Sequence, residues 1–150
     1  KAQEIAKSII DKLKMVGLLA VEFFVMEDGS VLVNEMAPRT HNSGHHTMEC
    51  NYTSQFEQHY RSVMNFPLGS TEIVQPGVMI NLLGDKNHKG TPIYEGINEV
   101  MKQVGVYVHL YGKTETKPFR KMGHITVVNP NLDTAISNAR EVAKIVKVVS

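Results

Sequence analysis

The sequence has one cysteine, Cys50, and no tryptophan among 150 residues. A single thiol excludes an internal disulfide, and a reducing, cytoplasmic setting is expected. Long apolar runs are also missing. None approaches the roughly 20 residues that cross a bilayer as a helix, so no membrane partner is expected. Charge of one sign is lacking too: sixteen Lys and Arg face fifteen Asp and Glu, for a formal net charge of +1. No basic stripe stands out, which argues against nucleic acid as a partner. Repeats and low-complexity tracts are absent. There is no starting methionine and no signal-peptide pattern. Lys1-Ala2-Gln3-Glu4 is polar and leads into an amphipathic stretch, so the chain is expected to be a piece of a longer polypeptide. What is present is ordinary. Apolar residues make up 42% and charged residues 21%, the composition of a folded domain and not of a disordered, collagenous or coiled-coil chain. The length suits one medium domain or two small ones.

Ile5, Ile9, Leu13 and Val16 recur at helical spacing, and Gly17 is the expected stop. Two runs rich in branched and aromatic residues, 18–26 and 31–36, flank Asp28-Gly29, a strong hairpin signal. Residues 37–51 read as a polar loop. Ser54 and Glu57 form a capping box for a helix whose apolar face would be Phe56, Tyr60, Val63 and Met64. Composition shifts at 68–72, the expected boundary. Beyond it, strands are expected over 77–83, 106–111 and 123–128. Thr91-Pro92 should start a helix with Ile93, Ile97, Val100, Met101 and Val104 inward. Asp133 should cap a last helix that buries Ile136, Ala139, Ala143 and Val146.

If Asp28-Gly29 is a two-residue turn, Glu22 lies opposite Glu35, Phe24 opposite Val33 and Met26 opposite Val31. Two carboxylates then sit side by side at the end of an apolar face. Like charges about 5 Å apart repel by roughly 3 kcal/mol at an effective dielectric near 20, and such cross-strand pairs destabilise a sheet. A shared proton, a nearby Arg or Lys, or a hard cation must offset this. Oxygen ligands of this kind suit Mg²⁺ with substrate phosphates.

Within eight residues the next loop carries Arg39, His41, Asn42, Ser43, His45 and His46. Arg39 can grip an anion bidentately. His41 can donate hydrogen bonds or carry a proton. Zinc is the weaker reading, because His45-His46 is poor ligand spacing and Cys50 has no second thiol nearby. A second basic cluster, Lys113, Lys117, Arg120 and Lys121, surrounds Pro118. It is either a solvated loop or a phosphate clamp in which Lys113 gives a point charge and Arg120 a fork. His124 could reach the same pocket. His88 and His109 read as structural or surface residues.

Ala20-Val21-Glu22-Phe23-Phe24 and Val33 through His45 closely resemble the ATP-grasp 5-(carboxyamino)imidazole ribonucleotide synthetases, also called the ATPase subunit of phosphoribosylaminoimidazole carboxylase. Thr53 to His59, Asn81 to Asp85 and Arg120 to His124 continue the resemblance in the family's order. Thr40 departs from it, since many members carry proline there. The family's first domain, glycine-rich flap, phosphate-binding lysines and adenine linker have no counterpart here. The resemblance implies a ligase of de novo purine synthesis. Its substrates would be ATP, bicarbonate and 5-aminoimidazole ribonucleotide, joined through carboxyphosphate. It implies Glu22 and Glu35 on Mg²⁺, Arg39 and His41 on bicarbonate and carboxyphosphate, and Asn42 and Ser43 lining that pocket. Lys113 and Arg120 would take the ribonucleotide's phosphate. It also implies a homodimer.

The expected fold is α+β. Residues 1–70 would be the second half of an ATP-grasp domain, on the metal and bicarbonate side. Residues 71–150 would be a small mixed α/β C-terminal domain, a sheet with two helices. By itself the chain is expected to be inactive. Two other readings compete. One is another ATP-grasp enzyme of purine synthesis, such as the formate-dependent glycinamide ribonucleotide transformylase. The other is a binding or dimerisation module without chemistry.

Overall fold

The first helix, α1, spans Ala2–Leu13 and ends earlier than its apolar spacing suggests. Lys14 turns left-handed at φ 49, and the N–H groups of Lys14 and Met15 bond back to Asp11 and Ile10. Gly17 is needed for a different reason than stopping the helix. Its φ is +113, and a Cβ there would lie 2.9 Å from the His59 ring. The computed structural model describes all 150 residues and divides into two units, Lys1–Glu72 and Ile73–Ser150.

In the first unit, β1 (Ala20–Val25) and β2 (Val31–Ala37) form an antiparallel hairpin. Its loop has three residues, not two. Met26 N–H donates to Ser30 O and Gly29 N–H to Met26 O, with Gly29 left-handed at φ 77. That is a turn closed by a left-handed glycine. Near the loop the pairs are therefore Phe24 with Leu32 and Phe23 with Val33, so the expected Phe24–Val33 and Met26–Val31 pairs do not form. A bulge between Glu22 and Phe23 then shifts the register by one and brings Glu22 opposite Glu35.

The expected loop after the hairpin holds a short 3-10 turn, Asn42–Gly44, and a one-turn helix, α2, Thr47–Cys50. Helix α3 covers Gln55–Val63, and Ser54 Oγ accepts from Glu57 N–H. The capping box is only half formed, because Glu57 turns its carboxylate to Arg61. The face of α3 is the reverse of expectation. Phe56, Tyr60, Val63 and Met64 are exposed. Facing inward at i, i+3, i+4 and i+7 are Gln55, Gln58, His59 and Ser62. Each receives a loop backbone N–H: His41, Gly69, Leu18 and Gly17 in turn. A helix that must terminate loop hydrogen bonds buries its polar stripe.

Cys50 is buried, and burial, followed by the charge of Glu49, pushes its thiol above the ordinary range. The thiolate is the reactive form. Iodoacetamide at neutral pH is expected to leave Cys50 unlabelled in the native chain and to label it fully in denaturant, as read by intact mass.

The second unit is built on a three-stranded antiparallel sheet. Its order is β3 (Gly77–Leu83), β6 (Lys121–Val128), β5 (Val106–Leu110). The central strand β6 is buried from Met122 to Val128. Helix α5, Leu132–Ile145, packs on β3 and β6. Its cap is Asn131, whose Oδ1 accepts from Thr134 N–H, and Asp133 lies in the first turn. Its buried stripe is Ala135, Ala139 and Val142, whereas Ala143 is exposed. The helix expected from Thr91-Pro92 does not form. Ile93–Glu95 is strand β4, paired with β7, Lys147–Val149, a strand the helical spacing hid. Gly96 then turns left-handed at φ 74, where a Cβ would lie 2.4 Å from Ile145 O. Only Ile97–Val100, α4, is helical.

A carboxylate and histidine cluster as candidate functional site

The bulge decides where the two acids meet. Phe23 pairs with Val33 and Glu22 with Glu35, so Asn34 is the extra residue on β2. Such a bulge re-aims the side chain that follows it. Opposed like charges are costly, and the structure shows what sits beside them. The His41 ring lies between the carboxylates, with Nδ1 3.5 Å from Glu22 Oε1 and Nε2 3.5 Å from Glu35 Oε1. One ligand atom from each of the three residues lies within 4.8 Å of the others. His41 is 13% exposed, and Glu22 and Glu35 are 42% and 59% exposed. Arg39 forms no ion pair with either acid. It is exposed, and its Nη1 donates to Thr40 O at 2.9 Å.

The loop holds His41 by its backbone. Gln55 Oε1 accepts from His41 N–H at 2.9 Å, and Gln55 Nε2 donates to His41 O at 2.8 Å. Ser43 Oγ reaches His41 Nδ1 at 2.9 Å. Asn42 begins the 3-10 turn that follows His41. His45 Nδ1 receives Gln55 Nε2 at 2.7 Å, and the His45 ring stacks on Phe56 with centroids 5.3 Å apart. Sequence reading singled out His41 and Ser43 and missed Gln55 as their support. The available signal was its place directly after the capping Ser54, where a helix starts beside the loop it must hold.

The donor set fits a hard cation. Two carboxylates on adjacent strands, open to solvent on one side, offer the oxygen ligands that Mg²⁺ takes while it keeps water and phosphate. The imidazole suits softer metals better, so it fits as a neighbour of the acids, 3.5 Å from each, and not as a ligand of the ion.

Lys113 and Arg120 belong to the second unit and sit close to each other. Burial, followed by the charges of Arg120 and Lys121, lowers Lys113 below the usual lysine range. Its Nζ donates to Lys121 O and stands 5.6 Å from the Tyr111 ring centroid. Arg120 Nη1 donates to Glu115 O at 2.8 Å. Two adjacent cations satisfied mostly by backbone carbonyls form a place where an anion is favoured. His124 is buried, stacked on His109 with centroids 4.5 Å apart, and its Nδ1 is 3.0 Å from Tyr111 Oη. Its neighbours are thus His109 and Tyr111. His88, expected to be a structural or surface residue, accepts from Ser150 N–H at 3.0 Å.

Two family models match the chain. One describes the ATP-grasp domain and covers residues 1–56; the other describes the phosphoribosylaminoimidazole carboxylase C-terminal domain and covers residues 77–138. The N5-carboxyaminoimidazole ribonucleotide synthase of Bacillus subtilis is 52% identical over 84% of this chain and 32% of its own length. The corresponding protein of Aquifex aeolicus is 42% identical over 98% of this chain and 39% of its own length. The chain therefore spans well under half of these relatives. The crystal structure of N5-carboxyaminoimidazole ribonucleotide synthetase from Thermotoga maritima is similar with a TM-score of 0.91 at 51% identity, over 99% of this chain and 41% of that one. The enzyme from Aspergillus clavatus, solved with ADP and 5-aminoimidazole ribonucleotide, gives 0.82 at 34% identity, over 95% of this chain and 38% of that one. The two parts of the chain are thus matched in order, residues 1–56 by the ATP-grasp domain and residues 77–138 by the phosphoribosylaminoimidazole carboxylase C-terminal domain, and the chain is similar over nearly its whole length to part of the N5-carboxyaminoimidazole ribonucleotide synthases.

Proposed function

We propose that these residues supply the metal and bicarbonate side of an ATP-dependent ligase that carboxylates 5-aminoimidazole ribonucleotide through carboxyphosphate. The observation that carries this reading is the His41 ring set between two opposed carboxylates. Glu22 and Glu35 hold Mg²⁺ with the nucleotide. When bound, the ion neutralises charge on the transferred phosphoryl group, where catalysis is mostly positioning and electrostatics. His41 donates a hydrogen bond to the bicarbonate-derived oxygens, and Arg39, whose Nη1 is held by Thr40 O, supplies positive charge to the same anion. Asn42 and Ser43 line that pocket, with Ser43 Oγ fixing the ring through Nδ1. Lys113 and Arg120 hold the ribonucleotide's phosphate. The cytoplasm and a homodimer belong to the same reading, and the lone buried thiol supports the first.

The test is substrate dependence in the full-length protein. ADP release is expected only with 5-aminoimidazole ribonucleotide and bicarbonate together, and the 150 residues alone are expected to release none. ADP release driven by glycinamide ribonucleotide and formate would replace this reading with the transformylase one. No nucleotide-dependent turnover with either pair would leave a binding module.

A further inference from the structure

Four inward polar residues of α3 hold loop backbones, and Gln55 differs from the other three in what it holds. Gln58 brackets the peptide of Gly69, and His59 and Ser62 cap the entry to β1. Gln55 brackets His41 itself, the residue between the two acids. Both ends of its amide are used: Oε1 accepts from His41 N–H at 2.9 Å, while Nε2 donates to His41 O at 2.8 Å and to His45 Nδ1 at 2.7 Å. Gln55 is 8% exposed. Its own N–H is held by Thr47 Oγ1, which donates in turn to Gly44 O at 2.6 Å. The fit leaves no slack, because a Cβ on Gly44 would come within 2.6 Å of Gln55 Oε1.

The distances rank the forces on His41. The carboxylate contacts are 3.5 Å, longer than good hydrogen bonds. The backbone contacts to Gln55 are 2.9 Å or shorter. The acids therefore do not fix the residue's place; the Gln55 amide holds its backbone, and Ser43 Oγ, 2.9 Å from Nδ1, then orients the ring on that backbone. We propose that Gln55 is the positioning residue of the bicarbonate side, setting the His41 ring against the substrate anion. This rests on the function proposed above. Only an amide of this length serves. Glutamate would turn an acceptor toward His41 O and His45 Nδ1, and asparagine is one methylene short.

The test uses the full-length protein and a double-mutant cycle with His41. In the wild-type background, Gln55→Glu is expected to lower kcat about 30-fold, in the range a misplaced catalytic group costs. The KM for ATP should stay within about twofold. In a His41→Ala background the same change should cost less than about twofold, because the two residues act as one. Misheld carboxyphosphate would be lost to water as bicarbonate and phosphate, so ADP released per carboxylated product should rise. Equal losses in both backgrounds would make Gln55 a structural residue and overturn the proposal.

A second measurement does not depend on turnover. Carbethoxylation of His41, followed by peptide mass, should speed up about tenfold in Gln55→Glu and in Gln55→Met. His124, buried at 2% exposure in the other unit, should stay unreactive as the control. Unchanged His41 reactivity in both variants would overturn the proposal even if the assigned substrates were wrong. A wild-type protein inactive with bicarbonate but showing the reactivity change would overturn the functional reading alone.

Discussion

Replacing Glu35 by glutamine in the full-length protein is expected to lower turnover about 10³-fold, about 4 kcal/mol of lost transition-state stabilisation. The same change is expected to leave folding intact or improve it. Glutamine keeps the size and one oxygen of the side chain and removes its charge. Glu22 then no longer faces a like charge across the bulge. With ligand atoms within 4.8 Å and more than two-fifths of each carboxylate in solvent, the relief is water-screened and amounts to at most about 1 kcal/mol. Glu22→Gln should behave alike. The opposite signs make the prediction sharp, because a residue kept for packing would lose stability and activity together. The measurements are steady-state ADP release and thermal melting, each with and without Mg²⁺. Turnover within tenfold of wild type in both variants would remove the carboxylates from the mechanism.

The pairing of Glu22 with Glu35 was legible in the sequence, but through two errors that cancel. An Asp-Gly turn of two residues predicts the pair directly. The chain instead uses three loop residues closed by Gly29 and then restores the pairing with a bulge at Asn34. Alternation over six residues carries no mark of a bulge, because the extra residue is one more polar side chain at a sheet end. The orientation of α3 was not legible for a related reason. Its spacing marks two stripes, one apolar and one polar, and the usual rule turns the apolar stripe inward. Here the loops 17–18, 41–45 and 69 need acceptors and donors, and Gln55, Gln58, His59 and Ser62 supply them. Which stripe is buried depends on those loops, and they are distant in sequence. The misread helix after Pro92 shows the limit of short apolar runs. Ile93 and Ile97 fit a helical face, yet Ile93 pairs with Val149 far along the chain. The central strand 123–128 and its helix were legible because both are long and strongly patterned.

Limited proteolysis of the 150-residue chain is expected to digest residues 1–72 and leave a resistant fragment from the second unit. The reason is where the large side chains are. In the first unit the only buried apolar residues are Ala37 and Cys50. Phe24, Val25, Leu32, Val33 and Met36 of the hairpin are all at least 40% exposed, and α1 buries nothing. In the second unit Val100, Met122, Ile125, Val127 and Val142 are fully buried around one core. Each such side chain contributes about 1.5–3 kcal/mol when buried. The second unit has a core of them; the first relies on polar brackets from α3, each worth about 1 kcal/mol net. Ile125→Ala should cost about 2–5 kcal/mol and abolish the resistant fragment, whereas Phe24→Ala should leave it unchanged. Amide exchange should follow the same division, with β6 slowest and β1 and β2 fast. In the full-length protein the hairpin should become protected, since a sheet with both faces apolar is stable only when covered. Equal resistance of the two units in the 150-residue chain would mean that the polar brackets of α3 suffice to hold the Glu22, Glu35 and His41 cluster in place.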